Sequence, residues 1–378
     1  MKKRLLILSL TLVLCVSMIL TGCGGGGTET PGTGDSNGTV GGEKISWKMA
    51  SCWADGTFLF SVDQAFCDNL SRLTNGNFVI TPYGVGQLGA ANQVFDLVAN
   101  GTVEAGGDWP SYWTGKNTGF DLLATTMYNF SGFDYYVWIY EGGGLEDAYN
   151  YMFNKYGMYY YPTAITQMES GIRSNVPIND LDDLASMKVR FAGLIQGMVA
   201  EKVGMTPVTI AADELYESLQ RKVIDAAEYS GPYNDDILKI QEVTKYWLTP
   251  GWHQTSSVYG AMFNQKAFDE LPDDYKQAIR DAADITMVNF MAKYAYNDAL
   301  ATQRILDSGV ETTSLSEEDM AILEQYTKEA TEELAASNPD YAHVYTSMMN
   351  YRKTMEDYRV ALGDWGWGVN LKEYPAMP

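Results

Sequence analysis

A chain of 378 residues, 46 % hydrophobic and 20 % charged, holds material for about two domains and does not have the composition of a disordered chain. Its 48 acidic and 26 basic residues give a formal charge of −22, which excludes recognition of nucleic acid or an anionic membrane through a basic surface. His253 and His343 are its only histidines, so a His-rich metal site is excluded and any Ser–His–Asp or Cys–His centre must use one of the two.

In chain order, the first feature is an export signal over 1–22: Lys2-Lys3-Arg4, then an apolar run from Leu5 to Leu20 too short for a spanning helix. Its end, Leu20-Thr21-Gly22-Cys23, resembles the bacterial lipobox, in which Cys23 is lipidated after cleavage. Removing three basic residues takes the charge to −25. Residues 23–44 read as a lipidated flexible tether; its nine glycines between Gly24 and Gly42 suit a random coil reaching roughly 25 Å. Such a tether suits a body held beside a membrane that hands something to a membrane partner. Of the remaining cysteines, Cys52 and Cys67 either bridge, as an oxidising compartment permits, or stay free as small buried residues.

From Ile45 the pattern alternates strand and helix. Strands are expected over 45–51 and 78–83, with an amphipathic helix at 57–73 and another at 91–100. A second block runs as strand 163–169, helix start 182–184, strand 188–191, helix 193–203, strand 207–210, helix 212–220 and strand 226–229. The chain returns through 246–252 and 258–264. Pro272, with Asp273 and Asp274 beside it, opens a long helix over 272–308; at 1.5 Å per residue it spans roughly 55 Å, enough to brace two lobes. Ser316 and Asp319 form a capping-box pattern at the start of C-terminal helices over 316–378, which carry Trp365 and Trp367. The expected fold is α/β: a two-lobed clamshell of the type II periplasmic-binding-protein kind, bridged by the long helix. Lobe I covers 45–163 with parts of 258–378, lobe II covers 164–257, and the cleft is the default ligand site.

Gly84-Val-Gly-Gln-Leu-Gly89 matches GxGxxG between a strand and a helix. An exported chain is a poor setting for a dinucleotide, and a tight turn explains the glycines. Other segments are more specific in combination: Gly101-Thr-Val-Glu-Ala105, Lys188-Val-Arg190, Met205-Thr-Pro207, Glu214-Leu-Tyr216 and Gln220-Arg-Lys-Val-Ile-Asp225. Together they resemble the solute-binding subunits of TRAP (tripartite ATP-independent periplasmic) transporters. Ala226-Ala-Glu228-Tyr229 through Asp235, followed by Pro250-Gly-Trp-His253, is similar to the branch that binds 2-oxo acids and lactate with a metal ion. The resemblance runs from about Ile45 to Leu271.

That resemblance implies roles. Arg190 matches the arginine that grips the substrate carboxylate, for which a planar guanidinium fork is suited. Glu228 matches a metal-chelating glutamate. Tyr229, where the family usually has Trp, would lend a backbone carbonyl to the metal. The remaining protein ligand aligns with Glu169, or with Gln167 two residues earlier on the same strand face if the register slips. All of these are substrate-site or metal-site candidates, and an added carboxylate favours Ca²⁺ over Na⁺. Trp53, Tyr112 and Trp252 are candidate walls of the cleft. Ile165-Thr166 stands where the family often has Asn-Thr, which suits a more apolar acid. The implied function is an extracytoplasmic binding protein, not an enzyme. It would carry a small organic carboxylate, such as pyruvate, lactate or an aromatic acid, to a TRAP permease while lipid-anchored to the membrane; no nucleic-acid partner is implied. Relatives in that branch include dimers with swapped terminal helices, so monomer and homodimer both stay open. A secreted hydrolase with Glu169 and Glu228 as paired carboxylates is the competing function, although Arg190 beside the pair is expected to lower carboxyl pKa values rather than raise one. A ligand-loaded partner of a chemoreceptor is a third.

Overall fold

The computed structural model describes residues 44–210 and 212–362. The export signal, Cys23, the tether up to residue 43, and Trp365 and Trp367 lie outside the described residues.

The chain builds two mixed sheets. The first has the order β2-β1-β3-β10-β4, from β1 (Ile45–Ser51), β2 (Phe78–Tyr83), β3 (Ala105–Asp108), β4 (Met158–Ile165) and β10 (Val258–Asn264). The second has the order β11-β9-β5-β8-β6-β7, from β5 (Ile172–Ser174), β6 (Lys188–Arg190), β7 (Thr206–Val208), β8 (Ala226–Ala227), β9 (Tyr246–Leu248) and β11 (Glu311–Thr313). β1 runs parallel to β2 and β3, as a helical crossover requires, while β10 returns antiparallel between β3 and β4. Helix Phe58–Leu73 starts at Thr57, whose hydroxyl accepts from the Phe60 amide, and buries Phe66, Cys67 and Leu70 beneath the first sheet.

The strand expected over 163–169 is displaced. It begins at Met158 and ends at Ile165. Pro162 sits inside it rather than before it, opposite Gly260, where the β4–β10 register shifts. A residue without an N–H is tolerated at such an irregularity. Two segments therefore cross between the sheets, 166–171 from β4 to β5 and 249–257 from β9 to β10.

The long helix, Asp273–Asp307, is the third crossing, with Pro272 at its N-cap. Its first half packs Tyr275, Ile279, Ala282 and Ala283 into the core of the first sheet. Its second half meets helix Pro232–Ile237, which follows the second sheet's β8: Asp298 accepts from the Tyr233 amide at 2.9 Å and Tyr294 bonds Ser230 and Asn234. Helix Glu317–Ser337 follows, with the Ser316–Asp319 capping box formed, and then helix Pro339–Leu362. Among the described residues no helix is long and apolar enough to cross a membrane. Cys52 and Cys67 are free, buried thiols in different core clusters. The GxGxxG segment is a tight turn: Gly86 has φ +87°, and a Cβ at Gly84 would meet Asp55 Oδ1 at 2.3 Å. The helix after it, Val94–Ala99, has only six residues.

Candidate functional site

β6 and β8 are parallel neighbours, so their carboxyl ends open on the same edge of the second sheet. Arg190 ends β6 and Glu228 directly follows β8. The Arg190 Nη1 donates to Glu228 Oε1 at 2.8 Å and to the Glu228 carbonyl at 2.9 Å, while Nε donates to the Ile210 carbonyl at 3.2 Å. Glu228 Oε1 also accepts from the Ala192 amide at 2.7 Å. Both side chains are buried, Glu228 to 2 % exposure, so the ion pair is shielded from water and its charges act strongly on their neighbours.

The two crossing segments face this edge and are tied together. The Glu169 amide donates to the Gln254 carbonyl at 3.0 Å. The approach is close: a Cβ at Gly251 would lie 2.1 Å from the Glu169 carbonyl oxygen. This aims Glu169 at the second crossing, where Oε2 lies 3.0 Å from His253 Nε2 and Oε1 accepts from Gln254 Nε2 at 2.5 Å. Gln196, in helix Leu194–Val203, fixes that loop by donating to the His253 carbonyl at 3.0 Å. His253 Nε2 is also 4.0 Å from Glu228 Oε2, and one ligand atom from each of Glu169, Glu228 and His253 falls within 4.8 Å of the others.

The electrostatics follow from burial. Glu169 is pushed well above the usual carboxyl range by burial first, then by the charge and hydrogen bond of Glu228; Arg190 opposes this and is outweighed. The expectation that Arg190 would keep both carboxyls low is therefore corrected for Glu169, because desolvation exceeds the guanidinium's pull. Burial lowers His253 to about 4 against the attraction of Glu228, leaving a neutral imidazole with a lone pair at neutral pH. Burial also acts against the charge on Arg190, but Glu228, Tyr112 and Glu169 raise its pKa further. The two carboxyl groups and a neutral imidazole at this separation could hold a cation, whose charge would offset the burial that keeps Glu169 protonated, beside a guanidinium able to take an anion.

Of the expected site residues, the structure gathers Arg190, Glu169 and Glu228. Tyr229 follows directly, its ring 5.8 Å from the Arg190 guanidinium. Gln167 is not gathered: it is exposed, and its amide lies toward Gly132. With β4 ended at Ile165, strand alternation no longer places 167 and 169 on one face. Trp53 is half-buried, 5.8 Å from Tyr112 and 5.7 Å from Tyr259 between ring centroids. Tyr112 is 47 % exposed, and the charges of Arg190 and Glu228 act on its hydroxyl. Trp252 belongs to the core, its ring in a T-shaped contact with His253. Ile165 is likewise a core residue, and Thr166 Oγ1 accepts from the Ser257 amide at 3.0 Å. Sequence reasoning missed His253, Gln254 and Gln196 as site residues; the Pro250–His253 segment was the available signal.

The family model of the bacterial extracellular solute-binding proteins, family 7 (DctP), matches residues 49–338. A monocarboxylate 2-oxoacid-binding periplasmic protein of Nostoc sp. is 28 % identical over 312 residues, 82 % of this chain and 84 % of its own. Among solved structures, a TRAP periplasmic solute-binding protein from Colwellia psychrerythraea with bound calcium and pyruvate aligns with a TM-score of 0.81 at 26 % identity, covering 86 % of this chain and 99 % of that one. A TRAP solute-binding protein from Bordetella bronchiseptica, a mixed-occupancy dimer with copurified calcium and picolinate, aligns with a TM-score of 0.80 at 26 % identity, covering 86 % and 98 %.

Proposed function

This chain belongs to the bacterial extracellular solute-binding proteins of family 7, which are receptors and not enzymes, and from that premise we propose that it captures a small 2-oxo or 2-hydroxy monocarboxylate together with a divalent cation. The observation that carries this reading is the buried cluster of Arg190, Glu228, Glu169 and His253 where the crossing segments meet the open edge of the second sheet. Arg190 Nη1 and Nε are engaged by protein acceptors, which leaves Nη2 as the donor for a substrate carboxylate. The cation supplies positive charge that Glu169 and Glu228 hold against the substrate's oxygens; two carboxylate side chains make Ca²⁺ a better match than Na⁺. The Tyr229 carbonyl is a further oxygen ligand in this reading. Trp53, Tyr112 and Tyr259 supply an apolar wall for the organic end. The calcium held with pyruvate by the Colwellia protein and the 2-oxo acid binding of the Nostoc relative support the substrate class. Ligand contacts from both lobes favour the closed state.

The loaded receptor then delivers its cargo to a TRAP permease, held near it by a lipid on Cys23 and the tether that follows. Calorimetry of the metal-stripped full chain with pyruvate and lactate, without added ion, with Na⁺ and with Ca²⁺, tests the reading. Stoichiometric binding strengthened by Ca²⁺ is expected. Absence of binding in every metal condition overturns the reading, and tighter pyruvate binding in Na⁺ than in Ca²⁺ overturns the choice of ion.

A further inference from the structure

An imidazole is an unusual ligand for an ion that collects only oxygens. His253 is fully buried, with Nε2 between the two carboxylates, 3.0 Å from Glu169 Oε2 and 4.0 Å from Glu228 Oε2. Its position is set from several sides. Gln196 holds its carbonyl, and the Trp252 and Phe191 rings meet the imidazole in T-shaped contacts with centroids 5.7 and 6.1 Å away. The close approach of Gly251 to the Glu169 backbone fixes the height of the loop. Among the described residues this is the one group of three such side chains whose donor atoms converge closely enough to hold an ion.

Resting on the metal-and-carboxylate reading above, we propose that His253 Nε2 is a third side-chain ligand, so that the site selects a first-row divalent ion such as Mn²⁺ over Ca²⁺ and Na⁺. The argument is one of ligand type. Ca²⁺ and Na⁺ are hard ions that gain little from an imidazole nitrogen, whereas first-row divalent ions bind it well. Glu169, Glu228 and His253, with the Tyr229 carbonyl and the two oxygens of a 2-oxo acid, complete a mixed nitrogen and oxygen set of octahedral size. The substrate supplies the missing ligands, so ion and acid bind more tightly together than either binds alone. In the absence of the ion, the same geometry lets His253 bond Glu169 directly, which keeps the ring in place.

The test uses the metal-stripped full chain with saturating pyruvate, titrated with MnCl₂, CaCl₂ or NaCl, alongside His253→Gln. Glutamine offers an oxygen in place of the nitrogen. The parent is expected to bind Mn²⁺ about tenfold more tightly than Ca²⁺; His253→Gln is expected to weaken Mn²⁺ by about 10–100-fold while Ca²⁺ changes by less than about threefold. Pulsed EPR of the Mn²⁺-loaded parent is expected to show hyperfine coupling to an imidazole ¹⁴N that His253→Gln lacks. Retained Ca²⁺-dependent pyruvate binding by the variant shows that it folds. If the EPR shows no nitrogen coupling, or the variant weakens Mn²⁺ and Ca²⁺ equally, the ligand role of His253 is overturned while the carboxylate-receptor reading stands. If no cation strengthens pyruvate binding by the parent, that reading falls and the proposal falls with it.

Discussion

Substitution can separate the ion pair that Arg190 makes with Glu228 from the ligand role proposed for it. Its Nη1 compensates the charge of Glu228, which is 2 % exposed, and its Nη2 makes no hydrogen bond to the described residues and faces the proposed carboxylate. In Arg190→Lys, one ammonium still answers Glu228 but lacks the second, geometrically fixed nitrogen. The loss is one or two charge-assisted hydrogen bonds to the ligand, about 3 kcal/mol in total, or on the order of a hundredfold in Kd. In Arg190→Gln the counter-charge goes as well, and leaving a buried carboxylate unpaired costs about 3–5 kcal/mol of stability. At roughly 2 °C per kcal/mol for a chain of this size, melting drops by about 5–10 °C. Calorimetry with pyruvate and Ca²⁺ reads the first effect, and thermal unfolding without ligand reads the second. A lysine variant that binds pyruvate within about threefold of the parent, or a glutamine variant that melts at the parent temperature, would refute this division of labour.

Three further expectations follow from the geometry. Burial pushes the Asp63 carboxyl up to about 7 against the Ser51 hydrogen bond; the folded chain then holds a proton that the unfolded chain releases near the ordinary value of 3.8, so stability falls as pH rises from about 4 to 7 and is flat above. At about 1.4 kcal/mol per pH unit this is at most on the order of 4 kcal/mol, and Asp63→Asn should flatten part of the slope in denaturant melts across that range, with Asp108, also raised to about 7, supplying a remainder; an unchanged slope counts against the assignment. Gly251→Ala drives a methyl into the Glu169 carbonyl and is expected to cost about 2–3 kcal/mol and abolish the Ca²⁺ enhancement of pyruvate binding. The control Gly197→Ala, where a Cβ meets nothing within 4 Å, should leave both intact, and equal behaviour of the two variants would defeat the argument. Asp121, next to the first sheet, accepts from the Leu194 and Ile195 amides at 3.4 Å and so ties the two lobes at the start of a helix that lacks a side-chain cap of its own. Asp121→Asn should weaken pyruvate binding about three- to tenfold by loosening the closed form, and unchanged affinity would remove it from that role.

What could be read from the chain was whatever is encoded locally. Pro272 with its two aspartates, the Ser316–Asp319 box and the short strands that carry Arg190 and precede Glu228 are all local signals; the structure forms the helix starts as expected and ends the strands at Arg190 and Ala227, one and two residues earlier than expected. Membership of the receptor family was legible because several short segments agreed. The Glu169 side of the cluster was harder. Whether Glu169 or Gln167 faces Glu228 depends on where β4 stops, at Ile165 opposite Val258, and so on pairing with a strand far along the chain. His253 and Gln254 sit in a loop without periodicity, and their contacts to Glu169 join residues 84 and 85 positions apart. The stretch 132–154 was also opaque: helix Gly132–Tyr140 is so rich in aromatics that no polar face stands out, and a π-helical turn, Leu145–Asn150, breaks the usual 3.6-residue spacing.

The long helix Asp273–Asp307 is anchored differently along its length. Its first half is greased into a dry aliphatic and aromatic bed. Its second half grips the other sheet's helix through hydroxyl, amide and carboxylate contacts at Tyr294, Asp298 and Arg304. Water can substitute for those polar grips but not for the bed, nor for the apolar contact of Ile305 with Trp247 near the helix end, so when the lobes part, slippage should concentrate around Tyr294 and Asp298 while the near end behaves as a fixed mast. Cargo unloading would then be tuned by a handful of exchangeable hydrogen bonds about 30–45 Å from the mast's foot, at 1.5 Å per residue.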